Sequence, residues 1–311
     1  MSDLNKDMHV VVLMGGWSAE RDVSLSSGAG VAKALKARGF TKVTTVDMDR
    51  NVASVLAELR PDVVFNALHG TPGEDGTVQG LLEIMQIPVT HSGVTTSAVA
   101  IDKQLTKAVL EPHGIPMPPG KIVESARLYE GDPMARPYVL KPVDEGSSVG
   151  VAIVTKESNY GSPIGREAEG PWQEFDRLLC EEFIAGHELT VAVLGEEALA
   201  VTELKIESGW YDYAHKYQDG QTVHVCPADV PPEVADRMQQ IALEAHRLLG
   251  CKGCSRSDFR WDESRGLDGL FLLEVNTQPG MTPLSLVPEQ AAYRGIDYGE
   301  LCERLIAEAL A

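Results

Sequence analysis

Apolar and polar blocks alternate along the first hundred residues in an order that predicts strand, turn and helix repeatedly. The run 9–14 is almost wholly apolar, as expected of a strand covered on both faces, and a tight turn and a helix through Arg38 follow it. Two further units repeat this order. They comprise strands at 42–46 and 62–68, helices at 52–59 and 78–85, and a short strand at Val89. This order predicts a parallel, doubly wound sheet whose ligands lie beyond the carboxyl ends of its strands.

The pattern changes near residue 101, and the proline-dense segment 111–120 indicates a domain boundary. Beyond it, short runs at 137–142 and 149–154, joined by a glycine and serine turn, predict an antiparallel pair. The remaining predicted elements are a helix at 172–178, strands at 180–184, 188–193 and 199–207, and helices at 233–249 and 298–310. A long loop at 208–222 has the length and composition of a lid.

Two oxygen-bearing side chains end the apolar run 272–276. Because residues two apart in a strand point to the same face, Glu274 and Asn276 can both reach one hard cation. Arg256 and Asp258 lie in an earlier alternating run, and the turn formers between the two runs predict a hairpin. That hairpin would bring Asp258, Glu274 and Asn276 to one cleft with room for nucleotide phosphates. Alternatively, these residues are only a solvated strand end without function. The other motifs decide between a cation site and this alternative.

The turn after the strand at 137–142 offers a second phosphate site. Lys141 ends the strand, and the segment 145–150 supplies backbone amides and the hydroxyls of Ser147 and Ser148. It is not a Walker loop, because no Gly-x-x-x-x-Gly-Lys-Ser/Thr occurs. The same residues match Gly-x-Ser-x-Gly around Ser148, which would make the protein a serine hydrolase. A nucleophile elbow needs a following helix, however, and the β-branched residues that follow predict a strand. A hairpin turn without function is the structural alternative.

Four further residues are candidates for substrate contact. The loop that precedes Glu20 lacks Gly-x-Gly-x-x-Gly, which argues against a dinucleotide. Glu20 begins a helix, where the helix dipole stabilises it, and its functional alternative is to bind an ammonium group. His69 alone is typical of a loop histidine. In the long loop, Lys216 would contact phosphate and Tyr217 would close over a substrate, or both would simply be solvated.

Composition narrows the class of protein. The chain has 311 residues, 43% hydrophobic and 23% charged, as in globular enzymes of two or three domains. A net charge of −19 argues against nonspecific nucleic-acid binding, which needs a basic surface. The first residues are polar, and no apolar run approaches the length of a membrane span. We therefore expect a cytoplasmic protein with neither nucleic acid nor membrane as a partner.

Five cysteines form an odd set, which fits reduced thiols better than a disulfide framework. Cys251 and Cys254, with His246 upstream and His224 beside Cys226, suggest a zinc site. A structural zinc site needs a second close pair of ligands, so we interpret these cysteines as small buried residues.

Taken in order, the motifs resemble those of the D-alanine:D-alanine ligase family of the ATP-grasp superfamily, over essentially the whole chain. The matching segments are 15–21, 67–70, 73–76, 102–103, 145–150, 211–217 and 273–282. Departures are small. Trp17 stands where threonine is commoner, Gln278 where serine is commoner, and Cys254 and Ser255 where glycine is usual. None removes a group that the chemistry needs.

The resemblance implies an α/β protein, with an ATP-grasp fold preceded by a doubly wound parallel-sheet N-terminal domain. The implied domains are an N-terminal α/β domain at 1–104, a central ATP-grasp subdomain at 105–187, and a C-terminal ATP-grasp domain at 188–311. The last would carry the magnesium ligands and the lid loop. ATP would lie between the central and C-terminal domains.

The resemblance also implies a set of binding residues. The phosphates of ATP would contact Lys103, Lys141 and Lys216, and ATP would also contact the loop residues Glu145, Ser147 and Ser148. Its adenine would contact Glu181, Glu182, Phe183 and Ile184, and its ribose would contact Glu188. Asp258, Glu274 and Asn276 would hold two Mg²⁺ ions, for which Mn²⁺ can substitute. Glu20 would bind the ammonium of a first D-alanine, with His69 nearby and Ser147 and Tyr217 linking this site to the lid. Ser285 and Leu286, with Lys216, would bind the carboxylate of a second.

The implied reaction is ATP-dependent ligation of two D-alanines to D-alanyl-D-alanine for peptidoglycan precursor synthesis. A carboxylate is a poor electrophile, so ATP would first convert it to an acyl phosphate, which the second amine attacks. Arg256 and the backbone amide of Gly280 would stabilise the oxyanion. The resemblance also implies a homodimer and leaves activation by a monovalent cation open. Alternatives are a ligase joining D-alanine to D-lactate, against which the pair Lys216 and Tyr217 argues, and a noncatalytic nucleotide-binding protein.

Overall fold

The computed structural model describes residues 4–146, 149–157, 159–206 and 222–311. In chain order, the helices and strands are β1 His9–Met14, α1 Arg21–Ala37, β2 Lys42–Asp47, α2 Val52–Leu59, β3 Val63–Asn66, α3 Thr77–Ile84, α4 Val94–Ile101, α5 Lys103–Leu110, β4 Gly120–Glu124, β5 Tyr138–Pro142, β6 Ala152–Val154, β7 Arg177–Glu182, β8 His187–Leu194, β9 Glu197–Ile206, β10 Thr222–Val225, α6 Pro232–Leu249, β11 Cys254–Trp261, β12 Leu270–Asn276, α7 Leu286–Tyr293 and α8 Tyr298–Ala309. Within these ranges no helix is both long and apolar enough to cross a membrane.

The N-terminal sheet is parallel, as predicted, with strand order β2-β1-β3. A parallel bridge from Val64 to Val89 continues it on the β3 side. The central strand β1 is apolar because both of its faces are covered. Val10 and Val12 pack in one hydrophobic cluster with α1, whereas Val11 and Leu13 pack in another with α2 and α3.

Two antiparallel sheets follow. The first has the order β4-β7-β5-β6, and the second has the order β10-β9-β8-β11-β12. The chain passes from one sheet to the other in the short connection between β7 and β8. Helix α6 covers the second sheet, where its Met238 and Ile241 share a cluster with Leu189 and Val191 of β8.

The N-terminal sheet also shares a hydrophobic cluster with the last part of the chain. Val10 and Val12 of β1 belong to the same cluster as Met281, Val287 of α7 and Leu305 of α8. This shared core fixes the turn that follows β12 against the carboxyl ends of the N-terminal strands.

Several elements differ from the sequence predictions. The predicted helix 172–178 is wrong: a short 3-10 turn at Pro171–Gln173 leads into β7. β7 lies between β4 and β5, and its Leu178 and Cys180 are fully buried. Pairing with a strand on each side therefore outweighs the local preference of this segment for a helix. Helices α4, α5 and α7 and strand β4 were not predicted, because they lie in segments that are short or rich in proline.

Buried His91 carries a pH-dependent cost to stability. It adopts a φ of 70°, its ring packs edge-on against Phe65 at 5.7 Å, and its Nε2 has no hydrogen-bond partner among the described residues. Burial, with the charge of His69 adding to it, lowers the pKa of His91 from 6.5 to about 3. The folded protein therefore keeps this ring neutral at pH values where the unfolded chain protonates it. Stability from this residue is lost as the pH falls from 6.5 towards 3.

We predict that His91→Asn flattens the dependence of the unfolding free energy on pH, because asparagine tolerates positive φ and does not titrate. Between pH 7 and pH 5, the unfolding free energy of the unchanged protein should fall by about 2 kcal/mol more than that of the variant. Denaturant unfolding at a series of pH values measures it. His113→Asn, at an exposed position, is the matched control variant. Equal slopes in His91→Asn and the unchanged protein would contradict the prediction.

Candidate active site

A cavity of about 1280 Å³ lies between the two antiparallel sheets. Its volume suits a nucleotide, and it lies where a crevice between sheets binds ligands. Most residues that the resemblance assigned to ATP line the cavity, together with two of the three candidate cation ligands, Arg256 and a residue of α7. These are Lys103, Lys141, Glu145, Glu181, Glu182, Phe183, Ile184, Glu188, Arg256, Asp258, Glu274 and Leu286.

The predicted hairpin of β11 and β12 forms one wall of this cavity. Asp258 is paired directly with Glu274, and Arg256 with Asn276, so the four side chains share one face of the sheet. Arg256 donates two hydrogen bonds to Asp258, at 2.8 Å and 2.7 Å. Thr190 of β8 donates a further one to Asp258 at 2.8 Å. Asp258 is therefore oriented both from its own strand, by Arg256, and from the neighbouring strand β8, by Thr190.

The opposite carboxylate faces a lysine. Nζ of Lys103 lies 3.7 Å from Oε2 of Glu274 and donates a hydrogen bond to the backbone carbonyl of Glu145. Lys103 thus bridges the predicted phosphate loop and the hairpin. Beyond β12, Oδ1 of Asn276 accepts a hydrogen bond from the backbone amide of Gln278 at 2.8 Å.

Asp258, Glu274 and Asn276 fit a hard divalent cation. Two carboxylates and one amide oxygen on a common face are the donor types that Mg²⁺ prefers. The part of the chain that the structure describes contains no group of three or more His, Cys, Asp and Glu side chains suited to a metal. A cation at this hairpin would accordingly complete its coordination with phosphate or water oxygens.

A buried ion-pair network supports the other side of the cavity. Oε2 of Glu181 lies 2.6 Å from Nζ of Lys141, and its Oε1 lies 3.0 Å from Nζ of Lys107. Lys107 also donates a hydrogen bond to the backbone carbonyl of Pro118 at 2.6 Å. Sequence reasoning missed Lys107, because its partner Glu181 is distant in the sequence. The network holds Lys141 at the cavity, where a chain with net charge −19 needs local cations to meet phosphate.

Arg260 of β11 organises the end of the cavity assigned to the nucleoside. It donates a hydrogen bond to the backbone carbonyl of Ile184 at 3.1 Å, lies 3.2 Å from a carboxylate oxygen of Glu188, and covers the ring of Phe183 at 5.8 Å. Arg260 was also missed. The signal was present in the alternation of β11, where it falls on the same side as Arg256 and Asp258.

A second polar cluster lies at the carboxyl ends of the N-terminal strands. Glu20 stands at the N-cap position of α1, and His69 follows β3. Nδ1 of His69 lies 3.5 Å from Oε1 of Glu74, and its Nε2 lies 3.1 Å from Oγ of Ser27. Burial raises the pKa of Glu74, and the nearby charge of Glu20 raises it further. Two close acidic groups with little water make this cluster a suitable place for an ammonium group.

The two halves of the site meet at the phosphate loop and at the turn after β12. A methyl group built on Gly146 would lie 3.9 Å from Oε2 of Glu74, so the loop reaches the N-terminal cluster. A methyl group on Gly280 would lie 2.9 Å from Oγ of Ser285, whose hydroxyl is 2.7 Å from that of Thr282. The predicted residues Ser147, Ser148, Lys216 and Tyr217 lie outside the described residues.

The alternatives from the sequence find little support in the geometry. Strand β6 follows Gly150, where a nucleophile elbow would need a helix. All five cysteines are free thiols. Burial raises the pKa of Cys251 to about 12, whereas zinc ligation needs a thiolate. Nδ1 of His246, the other suggested ligand, lies 2.7 Å from Oγ of Ser255.

Two antiparallel sheets enclose a nucleotide-sized cavity, with lysines on one wall and paired carboxylates on the other. This arrangement defines an enzyme of the ATP-grasp ligase class. Family models described as D-ala D-ala ligase C-terminus and D-ala D-ala ligase N-terminus match residues 109–307 and 56–92. The chain therefore belongs to the D-alanine–D-alanine ligase family.

Relatives and solved structures agree over nearly the full length. The D-alanine–D-alanine ligase of Sphingopyxis alaskensis is 70% identical over 97% of this chain and 98% of its own. That of Erythrobacter litoralis is 67% identical over 99% of this chain and 95% of its own. A crystal structure of the ligase from Bacillus anthracis matches with a TM-score of 0.80 and 29% identity, and the same enzyme complexed with ATP matches with 0.77 and 26%. Each structural match covers 97% of both chains.

Proposed function

We propose that the protein uses ATP to join two D-alanines into D-alanyl-D-alanine, a step in peptidoglycan precursor synthesis, through an acyl phosphate. The observation that carries the proposal is the face shared by Arg256, Asp258, Glu274 and Asn276 at the wall of the cavity, opposite Lys103. That face combines cation ligands with a fixed guanidinium, as a phosphoryl transfer followed by attack at a carbonyl requires.

ATP would occupy the cavity between the sheets. Its phosphates would contact Lys103, Lys141 and the loop 145–150, its adenine the segment 181–184, and its ribose Glu188. Two Mg²⁺ ions held by Asp258, Glu274 and Asn276 would neutralise phosphate charge when bound. Because Lys141 and Lys103 are themselves held by Glu181 and by the carbonyl of Glu145, they reach the phosphates with little freedom left to lose.

The first D-alanine would lie at the N-terminal cluster. Glu20 would bind its ammonium group, with His69 nearby, so that its carboxylate points to the γ-phosphate of ATP. The amine of the second D-alanine attacks the acyl phosphate, and its carboxylate would bind at Ser285 and Leu286 with Lys216. Arg256 and the amide of Gly280 would donate hydrogen bonds to the oxyanion. Ser147 and Tyr217 would close the site and exclude water, which otherwise hydrolyses the acyl phosphate.

Several finer features belong to this proposal. We propose that the protein is a homodimer in the cytoplasm and that Mn²⁺ can substitute for Mg²⁺. Assays with and without monovalent cations test whether they activate it. The domain limits 1–104, 105–187 and 188–311 are part of it as well. The first limit lies within α5 and the second at the start of β8, between the two antiparallel sheets.

The proposal predicts magnesium- and ATP-dependent phosphate release with D-alanine as the only amino acid. Parallel reactions contain L-alanine, and D-alanine with D-lactate, and mass spectrometry identifies each product. Formation of D-alanyl-D-alanine is the expected result, and a depsipeptide as the main product would favour the ligase joining D-alanine to D-lactate. ATP binding without stimulation by any amino acid would contradict the proposal and favour a noncatalytic nucleotide-binding protein. Covalent modification of Ser148 by an organophosphate, without any need for ATP, would favour the hydrolase.

A further inference from the structure

A reciprocal pair of amide hydrogen bonds joins the N-terminal sheet to the turn after β12. Nδ2 of Asn66 donates to Oε1 of Gln278 at 3.1 Å, and Nε2 of Gln278 donates to the backbone carbonyl of Asn66 at 2.6 Å. Both side chains are buried, with exposures of 0% and 1%. Such buried bonds are costly to break, because each leaves an unpaired polar group behind.

The orientation of the Gln278 amide is determined by its partner. The backbone carbonyl of Asn66 can only accept a hydrogen bond, and Nδ2 of Asn66 can only donate one. The oxygen of Gln278 must therefore face Nδ2, and its nitrogen must face the carbonyl. Serine, the commoner residue at this position by resemblance, has no amide with which to form this pair.

Each end of the pair continues to one half of the candidate active site. On one side, the backbone amide of Gln278 donates to Oδ1 of Asn276, a candidate cation ligand, at 2.8 Å. On the other side, Nδ2 of Asn66 also donates to the carbonyl of Gly73 at 3.0 Å, next to Glu74, which contacts His69. The path from the candidate cation ligand to the N-terminal cluster thus runs through the buried pair of Asn66 and Gln278, with a half-buried hydrogen bond to Asn276 at one end.

We infer that Gln278 is a positioning residue that fixes the cation-binding turn relative to the pocket for the first D-alanine. The inference rests on the proposed function and adds to it a residue that touches neither substrate nor cation. In the first half-reaction, a carboxylate oxygen of D-alanine must lie in line with the γ-phosphorus. Its pocket belongs to the N-terminal sheet and the cation ligands belong to β12, so a displacement between them misaligns the reactants. A misplacement of about 1 Å can cost about a hundredfold in rate.

Two variants test this role. Gln278→Met keeps the volume and removes both bonds, and Gln278→Glu keeps the shape but turns an oxygen towards the carbonyl of Asn66. Each should lower kcat/KM for the first D-alanine about tenfold to a hundredfold, while the dissociation constant for ATP in Mg²⁺ stays within about twofold. Initial rates over a range of D-alanine concentrations, fitted to two sites, give the first value, and titration calorimetry gives the second.

Gln239→Met is the matched control. It removes a hydrogen bond from a glutamine of α6 to the carbonyl of Leu199, outside this path, and should leave both values unchanged. If Gln278→Met does not fold, Gln278→Glu carries the test alone.

Outcomes separate this inference from the proposed function. An unchanged protein that makes no dipeptide counts against the function itself, before any variant is compared. With an active protein, Gln278 variants that keep kcat/KM for D-alanine overturn the inference. A fall in kcat/KM that only matches a fall in the calorimetric stoichiometry of ATP binding would also overturn it, because it indicates a smaller folded fraction and thus a structural role only.

Discussion

Alanine in place of Arg256 is expected to lower kcat about 10²- to 10³-fold, while the affinity for ATP stays within about twofold. Removing one donor to an oxyanion raises the barrier by about 3 to 4 kcal/mol, because the charge develops only in the transition state. Asp258 remains oriented in this variant, since Thr190 still donates to it. Rapid-quench measurement of dipeptide formation and calorimetric titration with ATP provide the two values.

Arg260 supplies the control for this experiment. It lies on the same strand as Arg256 but contacts Glu188 and the carbonyl of Ile184 at the nucleoside end of the cavity. Arg260→Ala should therefore weaken ATP binding and change kcat little at saturating ATP. Full turnover in Arg256→Ala would remove Arg256 from the chemistry.

The second large effect is expected at Glu274. Gln replaces its carboxylate with an amide of the same shape, so Glu274→Gln should reduce kcat at least about a hundredfold at ordinary Mg²⁺. Half-maximal activity should also need more Mg²⁺, because a hard cation binds a carboxylate better than an amide. A titration of activity with Mg²⁺ at saturating ATP measures both changes.

Glu203 provides the comparison for Glu274. It also lines the cavity, but its carboxylate pairs with His187 at 2.6 Å and not with the hairpin. Glu203→Gln should keep the original dependence on Mg²⁺. If Glu274→Gln and Glu203→Gln show the same dependence, Glu274 is not a cation ligand.

The sequence predicted those parts of the site that depend on local periodicity. Glu274 and Asn276 are two apart in a strand, as are Arg256 and Asp258, so their common faces followed from alternation alone. The pairing of β11 with β12 followed from the turn formers between them. The parallel N-terminal sheet followed from the order of its elements, and the described strands confirm it.

Contacts between distant segments could not be predicted in this way. Lys107 meets Glu181, and Asn66 meets Gln278, only after the sheets have assembled. The helix predicted at 172–178 failed for the same reason, since β7 is a strand through its pairing with β4 and β5. A single sequence shows the residues that such contacts use, and the fold decides which of them meet.

The proposed reaction depends on an acyl phosphate intermediate, and transfer of oxygen from the carboxylate to phosphate would reveal it. D-Alanine labelled with ¹⁸O in its carboxylate is incubated with the protein, ATP and Mg²⁺, and the released phosphate is analysed by mass spectrometry. We expect one ¹⁸O atom in the phosphate for each dipeptide formed, because the carboxylate oxygen that attacks the γ-phosphorus leaves with it. Dipeptide formation with unlabelled phosphate would contradict an acyl phosphate and require a different activation of the carboxylate.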